Sequence, residues 1–248
     1  MNYELKYIHE EKVHNITAAT IVVPLILNLL KPRSVLDVGC GIGTWMSAFS
    51  KNGIKDIIGV DGDYVDRKLL EKYIPIENFK SQDLEKAFNL NRKFDLVVSL
   101  EVAEHLQPSS ADDFIDSLVR HGDTVLFSAA VPGQGGQRHL NEQWLSFWAA
   151  KFESRGFESY DPIRPIIWDN QNIETWYRQN MVVFSSKPID CPKGQILNKI
   201  LPDMWESKID RIQSLDYQLS RIRGGKVGLG FYLKGLIKSI TYFGRKQK

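Results

Sequence analysis

Cysteine is nearly absent. Only Cys40 and Cys191 occur in 248 residues, and Cys40 sits inside a glycine-rich turn. A disulfide framework is excluded, so a reducing, cytoplasmic setting is the expectation. Long apolar runs are missing too. The most apolar early run, Ile21 to Leu30, is too short to span a bilayer and contains Pro24. No basic-then-apolar leader opens the chain, and no repeat of the ~20–50-residue kind is visible. Asn15-Ile16-Thr17 is a glycosylation sequon by pattern alone. Acidic residues are lacking at one end only. From Ser220 to Lys248 there are eight Lys and Arg and no Asp or Glu, against a whole-chain charge of +2, so the preceding residues carry −6. A mildly acidic body is a poor footprint for a nucleic-acid groove, and a basic tail asks for an anionic partner.

What is present is ordinary for a globular protein, 43% apolar and 25% charged, and suits one large α/β domain with an appendage. The chain is organised around Val35-Leu36-Asp37-Val38-Gly39-Cys40-Gly41-Ile42-Gly43-Thr44. Val35, Leu36 and Val38 read as a buried strand. Gly39, Gly41 and Gly43 then let the backbone turn sharply and approach a ligand. Trp45, Met46, Ala48 and Phe49 follow at helical spacing. The pattern is G-x-G-x-G, neither the dinucleotide fingerprint nor a Walker loop. Asp37 at the strand end would repel a pyrophosphate and attract a cationic ligand.

These residues, DVGCGIGT, resemble the first motif of the class I S-adenosylmethionine-dependent methyltransferases, whose cofactor carries an ammonium and a sulfonium. The resemblance covers roughly residues 33–186. It implies a doubly wound, Rossmann-like sheet of seven strands with the last antiparallel, and S-adenosylmethionine as cofactor. Asp56–Val60 reads as the second strand, ending in Asp61-Gly62. A carboxylate there suits a ribose diol and matches the family's second motif. The resemblance further assigns the adenine amino group to Asp83 and the ring face to Leu84, beyond a short third strand; a turn-forming Asp83 is the competing reading. Phe94–Leu100 is a near-continuous apolar fourth strand, and Leu100 at its end joins the cofactor set.

The fourth strand runs into Glu101-Val102-Ala103-Glu104-His105-Leu106. The fifth, Asp123–Ala130, exits through a glycine-rich loop to His139, too long to be a bare connection. If a helical turn starts at Glu101, then Glu101, Glu104 and His105 share a face. His139, on the neighbouring strand's loop, can reach the same edge. Such a set suits magnesium or manganese, although the histidines also suit zinc or iron. It resembles the E-x-x-E-H plus distant His of small-RNA 3′-end ribose methyltransferases, and its first part resembles ubiquinone-pathway O-methyltransferases. His139 and Glu104 are the candidates for proton removal; a metal-free His139 base with Glu104 and His105 as helix-start residues is the other reading.

Residues 1–32 read as a helical cap, 33–187 as the catalytic domain, and 188–248 as a helical, basic, amphipathic tail bounded by Pro188 and Pro192. His14 reads as a solvated helix-start residue within reach of a ligand. Asn141 reads as opening a helix whose stripe of Trp144, Leu145, Phe147, Trp148 and Phe152 is core. Arg178 and Asn180 fit either an acceptor's polar groups or loop packing. The segments SLEVAEHL and PGQGGQRHLNEQW resemble methyltransferases associated with bacterial surface-glycan assembly, which implies a sugar hydroxyl as acceptor. The alternatives are an RNA ribose 2′-O-methyltransferase and a non-catalytic, membrane-associated cofactor-binding module. The tail reads as an interfacial helix for anionic lipid at the inner membrane face, or a docking helix for a protein partner.

Overall fold

The computed structural model describes residues 15–191 and 198–246. His14, Pro192 and Lys248 lie outside them. The chain separates into two compact units, one ending at Leu201 and one starting at Pro202.

In the first unit, α1 (Thr17–Leu30) buries Ala18, Ala19, Val22, Val23 and Ile26, and it continues through Pro24. It ends where Lys31 takes a left-handed conformation just before Pro32. Next come β1 (Ser34–Val38), α2 (Thr44–Lys51), β2 (Asp56–Asp61), α3 (Arg67–Leu70), β3 (Phe79–Ser81) and β4 (Leu96–Leu100). They are followed by α4 (Ala111–His121), β5 (Thr124–Ser128), α5 (Leu145–Glu153), β6 (Glu158–Tyr160), α6 (Arg164–Ile167), α7 (Thr175–Asn180) and β7 (Val182–Ser185). The helix expected from Asn141 opens at Leu145 instead. The N–H groups of Leu140 and Asn141 both donate to the Glu104 carbonyl, at 2.7 and 3.0 Å, which ties this loop to the turn after β4.

The strands form one sheet in the order β3-β2-β1-β4-β5-β7-β6. Neighbours from β3 through β5 run parallel, and β7 is antiparallel to both β5 and β6. The strand order reverses between β1 and β4, and a crevice opens there at the carboxyl ends of the strands. Both faces are covered. Side chains alternate along each strand, so Val35 and Val98 pack with α1 and α2, while Leu36, Val97 and Phe127 pack with α4 and α5. On that second face Phe152 stacks on Phe184 with ring centroids 3.9 Å apart, and Trp148 is fully buried. Leu145, Trp148 and Phe152 of the expected stripe are therefore core and Phe147 packs against them, whereas Trp144 precedes the helix and is 40% exposed; truncating a buried ring costs about 3–5 kcal/mol.

In the second unit, α8 (Pro202–Arg223) and α9 (Leu229–Lys246) are joined at a glycine break. The Tyr232 hydroxyl donates to the Ile222 carbonyl at 2.7 Å across that break. No residue of α8 is buried. Among the described residues, no helix is long and apolar enough to cross a membrane.

Candidate functional site

The crevice is a cavity of about 1070 Å³ at the carboxyl ends of β1, β2, β4 and β5. Asp37, Gly39 and Gly41 line it, as do Asp61, Gly62, Asp83, Leu84 and Leu100. Gly43 does not. It precedes α2 in a left-handed conformation, φ 83°, and a Cβ there would press on Ile74 at 3.2 Å. Its role is to turn the chain, not to line the cavity.

The glycine turn is braced by the acid that follows β2. Gly41 N donates to Asp61 Oδ2 at 2.8 Å, while Gly62 N and the Tyr64 hydroxyl donate to Oδ1 at 2.6 and 2.8 Å. Asp61 was expected to bind a diol; its second job, holding the loop, was not legible in sequence. A Cβ at Gly39 would collide with the Val102 side chain, so this glycine marks a close approach. Asp37 is buried, and burial together with the Asp61 charge raises its pKa to about 8. A cation bound beside it would pull that value down. Asp83 both lines the cavity and forms the turn. Its carboxylate accepts from Glu85 N at 3.1 Å and pairs with Lys86 at 2.9 Å, which holds its pKa below the ordinary value.

The other end of the cavity is acidic and imidazole-rich. Glu101 is not in a helical turn: it has φ 54°, and the 3-10 turn begins at Ala103. Its carboxylate is held by amides, with Gln134 Nε2 at 2.8 Å and Asn180 Nδ2 at 3.2 Å. Asn180 also donates to Gln134 Oε1 at 2.9 Å. Asn180 thus supports Glu101, and Arg178 is a loop-packing residue whose guanidinium donates to the Trp168 carbonyl at 2.9 Å.

Glu104 differs from Glu101. It is fully buried, and among the described residues neither carboxylate oxygen makes a hydrogen bond of ordinary geometry; the Glu101 carboxyl and the Glu104 and Ala130 backbone are near it without meeting that geometry. Burial, with the Glu101 charge adding to it, raises its pKa well above the carboxylate range. Its ligand atom and those of His105 and His139 all lie within 4.8 Å of one another. Three of the four residues expected around a metal therefore converge, and Glu101 stands outside that set. The two imidazoles meet edge to face, centroids 4.9 Å apart.

Glu142 was missed in sequence. Its Oε1 accepts from His139 Nδ1 at 2.7 Å and Gly135 N at 2.6 Å, and its Oε2 accepts from Gly133 N at 2.7 Å. A carboxylate only accepts, so His139 Nδ1 donates in this bond, and Nε2 is the ring nitrogen that Glu142 does not engage. The available signal was a carboxylate three residues after a candidate histidine.

A family model described as a methyltransferase domain matches residues 11–178. The chain belongs to that family, and fold and site together define a class I S-adenosylmethionine-dependent methyltransferase. Among curated proteins it is similar to the mitochondrial ubiquinone biosynthesis O-methyltransferase of Dictyostelium discoideum, 25% identical over 198 residues, which is 72% of this chain and 58% of that protein. The ubiquinone biosynthesis O-methyltransferase of Coxiella burnetii is 30% identical over 105 residues, 40% of this chain and 44% of that one. The chain thus spans about half the length of these curated relatives. Solved structures share the fold. Streptomyces venezuelae DesVI has a TM-score of 0.55 at 15% identity, covering 73% of this chain and all of that one. The methyltransferase domain of bacterial CtHen1 has 0.51 at 20%, covering 70% and 99%.

Proposed function

We propose that this protein methylates a hydroxyl group of a sugar or glycan, using S-adenosylmethionine and a divalent metal. The observation that carries the metal is the Glu104 carboxylate. A buried, unpartnered carboxylate is costly unless a cation meets it. Two imidazoles stand within ligand distance of it, and His139 is backed by Glu142 in the carboxylate–histidine arrangement that orients metal ligands. Glu104, His105 and His139 would hold the ion. When bound, it would lower the pKa of an acceptor hydroxyl and hold vicinal hydroxyls in place. Magnesium or manganese suits a carboxylate with acceptor oxygens, and the imidazoles widen the choice.

The remaining work falls to the chain's own groups. Asp37 and Asp61 supply negative charge beside the cofactor's cationic end and ribose. Glu104, ionised once a cation meets it, and His139 are the groups placed to take the acceptor proton. Without a metal, Nε2 of His139 takes that role, oriented by Glu142. For the acceptor, Gln137, Trp176 and Tyr177 line the same cavity. An amide for hydroxyls and aromatic faces for ring carbons suit a neutral sugar better than a phosphate chain. The sequence likeness to glycan-associated methyltransferases supports this reading.

The tail is assigned to an anionic membrane face. On α9, Leu229, Leu233, Leu236 and Ile240 follow one another at helical spacing, all at least half exposed, with Lys234 and Lys238 on the opposite side. Flotation with anionic and neutral vesicles tests it; equal recovery of intact and tail-truncated protein on anionic vesicles refutes it. For the activity, mass spectrometry of glycans from cells with and without the protein should reveal a methyl group that depends on it. Full methyl transfer after exhaustive chelation would remove the metal and leave His139 as base.

A further inference from the structure

Helix α8 leaves Trp205, Ile212, Leu215, Leu219 and Ile222 open, at 61, 56, 53, 42 and 37% exposure. Written in heptads from Trp205, these fall in register: Trp205, Ile212 and Leu219 at a, Leu215 and Ile222 at d, with Lys208 at the first d. A period of 3.5 residues keeps one seam facing a partner helix along its length. A helix that only covers a globular core has no need of so strict a repeat.

The flanking positions say what the partner is. The g positions are Met204, Arg211 and Gln218, and the e positions are Ile209, Asp216 and Arg223. In a parallel pair, each g residue meets the e residue five places further along the other helix. A second copy of this chain would then set Met204 against Ile209, Arg211 against Asp216, and Gln218 against Arg223. In these flanking pairs apolar meets apolar, cation meets anion and amide meets guanidinium; the one like-charge meeting is Lys208 with its own copy at the first d, near the start of the seam. Arg211 and Asp216 are five apart and do not face each other along their own helix. Ile212 at a with Leu215 at d favours two strands, whereas Leu219 at a with Ile222 at d favours more, so the two-stranded assignment rests on the g–e pairing.

We propose that α8 is a dimerisation element, pairing two copies of this protein as a parallel two-stranded coiled coil. The seam is 22 residues, about 33 Å, so the association is expected to depend on concentration. Parallel pairing starts both α9 helices from the same end, and two weak surface anchors then act together. The proposal does not depend on the methyl-transfer reading.

Sedimentation velocity of the full chain over a micromolar concentration series tests it. A dimer is expected. Ile212→Asp with Leu219→Asp should give a monomer that still binds S-adenosylhomocysteine. Leu236→Lys with Ile240→Lys, on α9, should leave the dimer intact. Arg211→Glu and Asp216→Arg should each weaken it, and the two together should restore it. Leu215→Cys in a Cys191→Ser background should cross-link on mild oxidation, because d positions face each other in a parallel pair. A wild-type monomer at the highest concentration, a dimer that survives the α8 changes, loss only with the α9 changes, a four-copy mass, failure of the charge swap to restore, or no cross-link would each overturn the proposal.

Discussion

At the β1–β2 end of the cavity, the buried Asp61 carboxylate accepts three hydrogen bonds from its own chain. At the β4–β5 end, Glu104 is at least as buried, and among the described residues its carboxyl accepts no hydrogen bond of ordinary geometry. Asp61 ends β2, Glu104 lies in the turn after β4, and both line the same crevice. One end is finished by the fold itself and offers a shaped, anionic cradle. The other keeps a buried carboxyl that burial holds protonated until a cation meets it. The contrast teaches that the cofactor end is built for stability and recognition together, while the Glu104 end gives up stability to keep a ligand position open.

The strongest way to break the cofactor half is Gly41→Val. The residue holds φ 52° and its N–H is one of the three donors to Asp61. A β-branched side chain strains that conformation and intrudes on the cavity. S-adenosylhomocysteine binding by calorimetry should fall by at least about 100-fold, on the order of 3 kcal/mol. Unchanged binding by the folded variant would place the cofactor elsewhere.

The contrast itself is sharpened by a matched pair. Asp61→Ala removes a satisfied carboxylate and strands three donors, so the metal-free melting temperature should drop by the equivalent of about 1–3 kcal/mol. Glu104→Gln removes a carboxyl that must take up a proton to be buried and should raise it near neutral pH, by a similar or smaller amount. If both variants are destabilised alike, the two ends do not differ as described. In the same experiment, manganese should stabilise the native protein and not Glu104→Gln.

A smaller effect is expected at Glu142. Glu142→Ala loses the orienting bond to His139 and two loop bonds. Manganese affinity should fall about 10–100-fold while cofactor affinity stays unchanged. A parallel loss of both would make Glu142 a general fold residue.

The least effect is a slope. Asp37 has its folded pKa raised from 3.8 to about 8. The folded state therefore holds a proton that the unfolded state releases. The associated stability is full below about pH 4 and is lost as pH rises through about 8. Cofactor-free protein should melt at a lower temperature at pH 9 than at pH 6, and Asp37→Asn should flatten that part of the profile. An identical profile in the variant would assign the titration to another group.

Much of this was open to reading along the chain. The G-x-G-x-G turn after a strand, Asp61 after the next one and the apolar fourth strand each follow from local spacing, because turns and strands are made by neighbours in sequence. Seven strands with an antiparallel last member came with the family resemblance and are found; their order across the sheet is seen only in the structure. The local readings failed where a distant group competed. The helix expected from Asn141 starts at Leu145, and Asn141 sits instead in a loop tied to the distant Glu104 carbonyl. Glu101 did not share a helical face with Glu104 because its backbone is left-handed and Gln134 and Asn180 hold its carboxylate.

The sequence by itself determined the class of fold, the cofactor turn, and the separation of an acidic body from a basic, heptad-bearing tail, since each is written in short-range periodicity and charge. Only the tertiary structure decided which acids are satisfied. Asp61 and Glu104 look alike on paper. One accepts three hydrogen bonds and the other, among the described residues, none of ordinary geometry, and the difference arises from backbone groups and loops brought together across the sheet. Hydrogen-bond satisfaction is a property of neighbours in space, and no pattern along the chain records it.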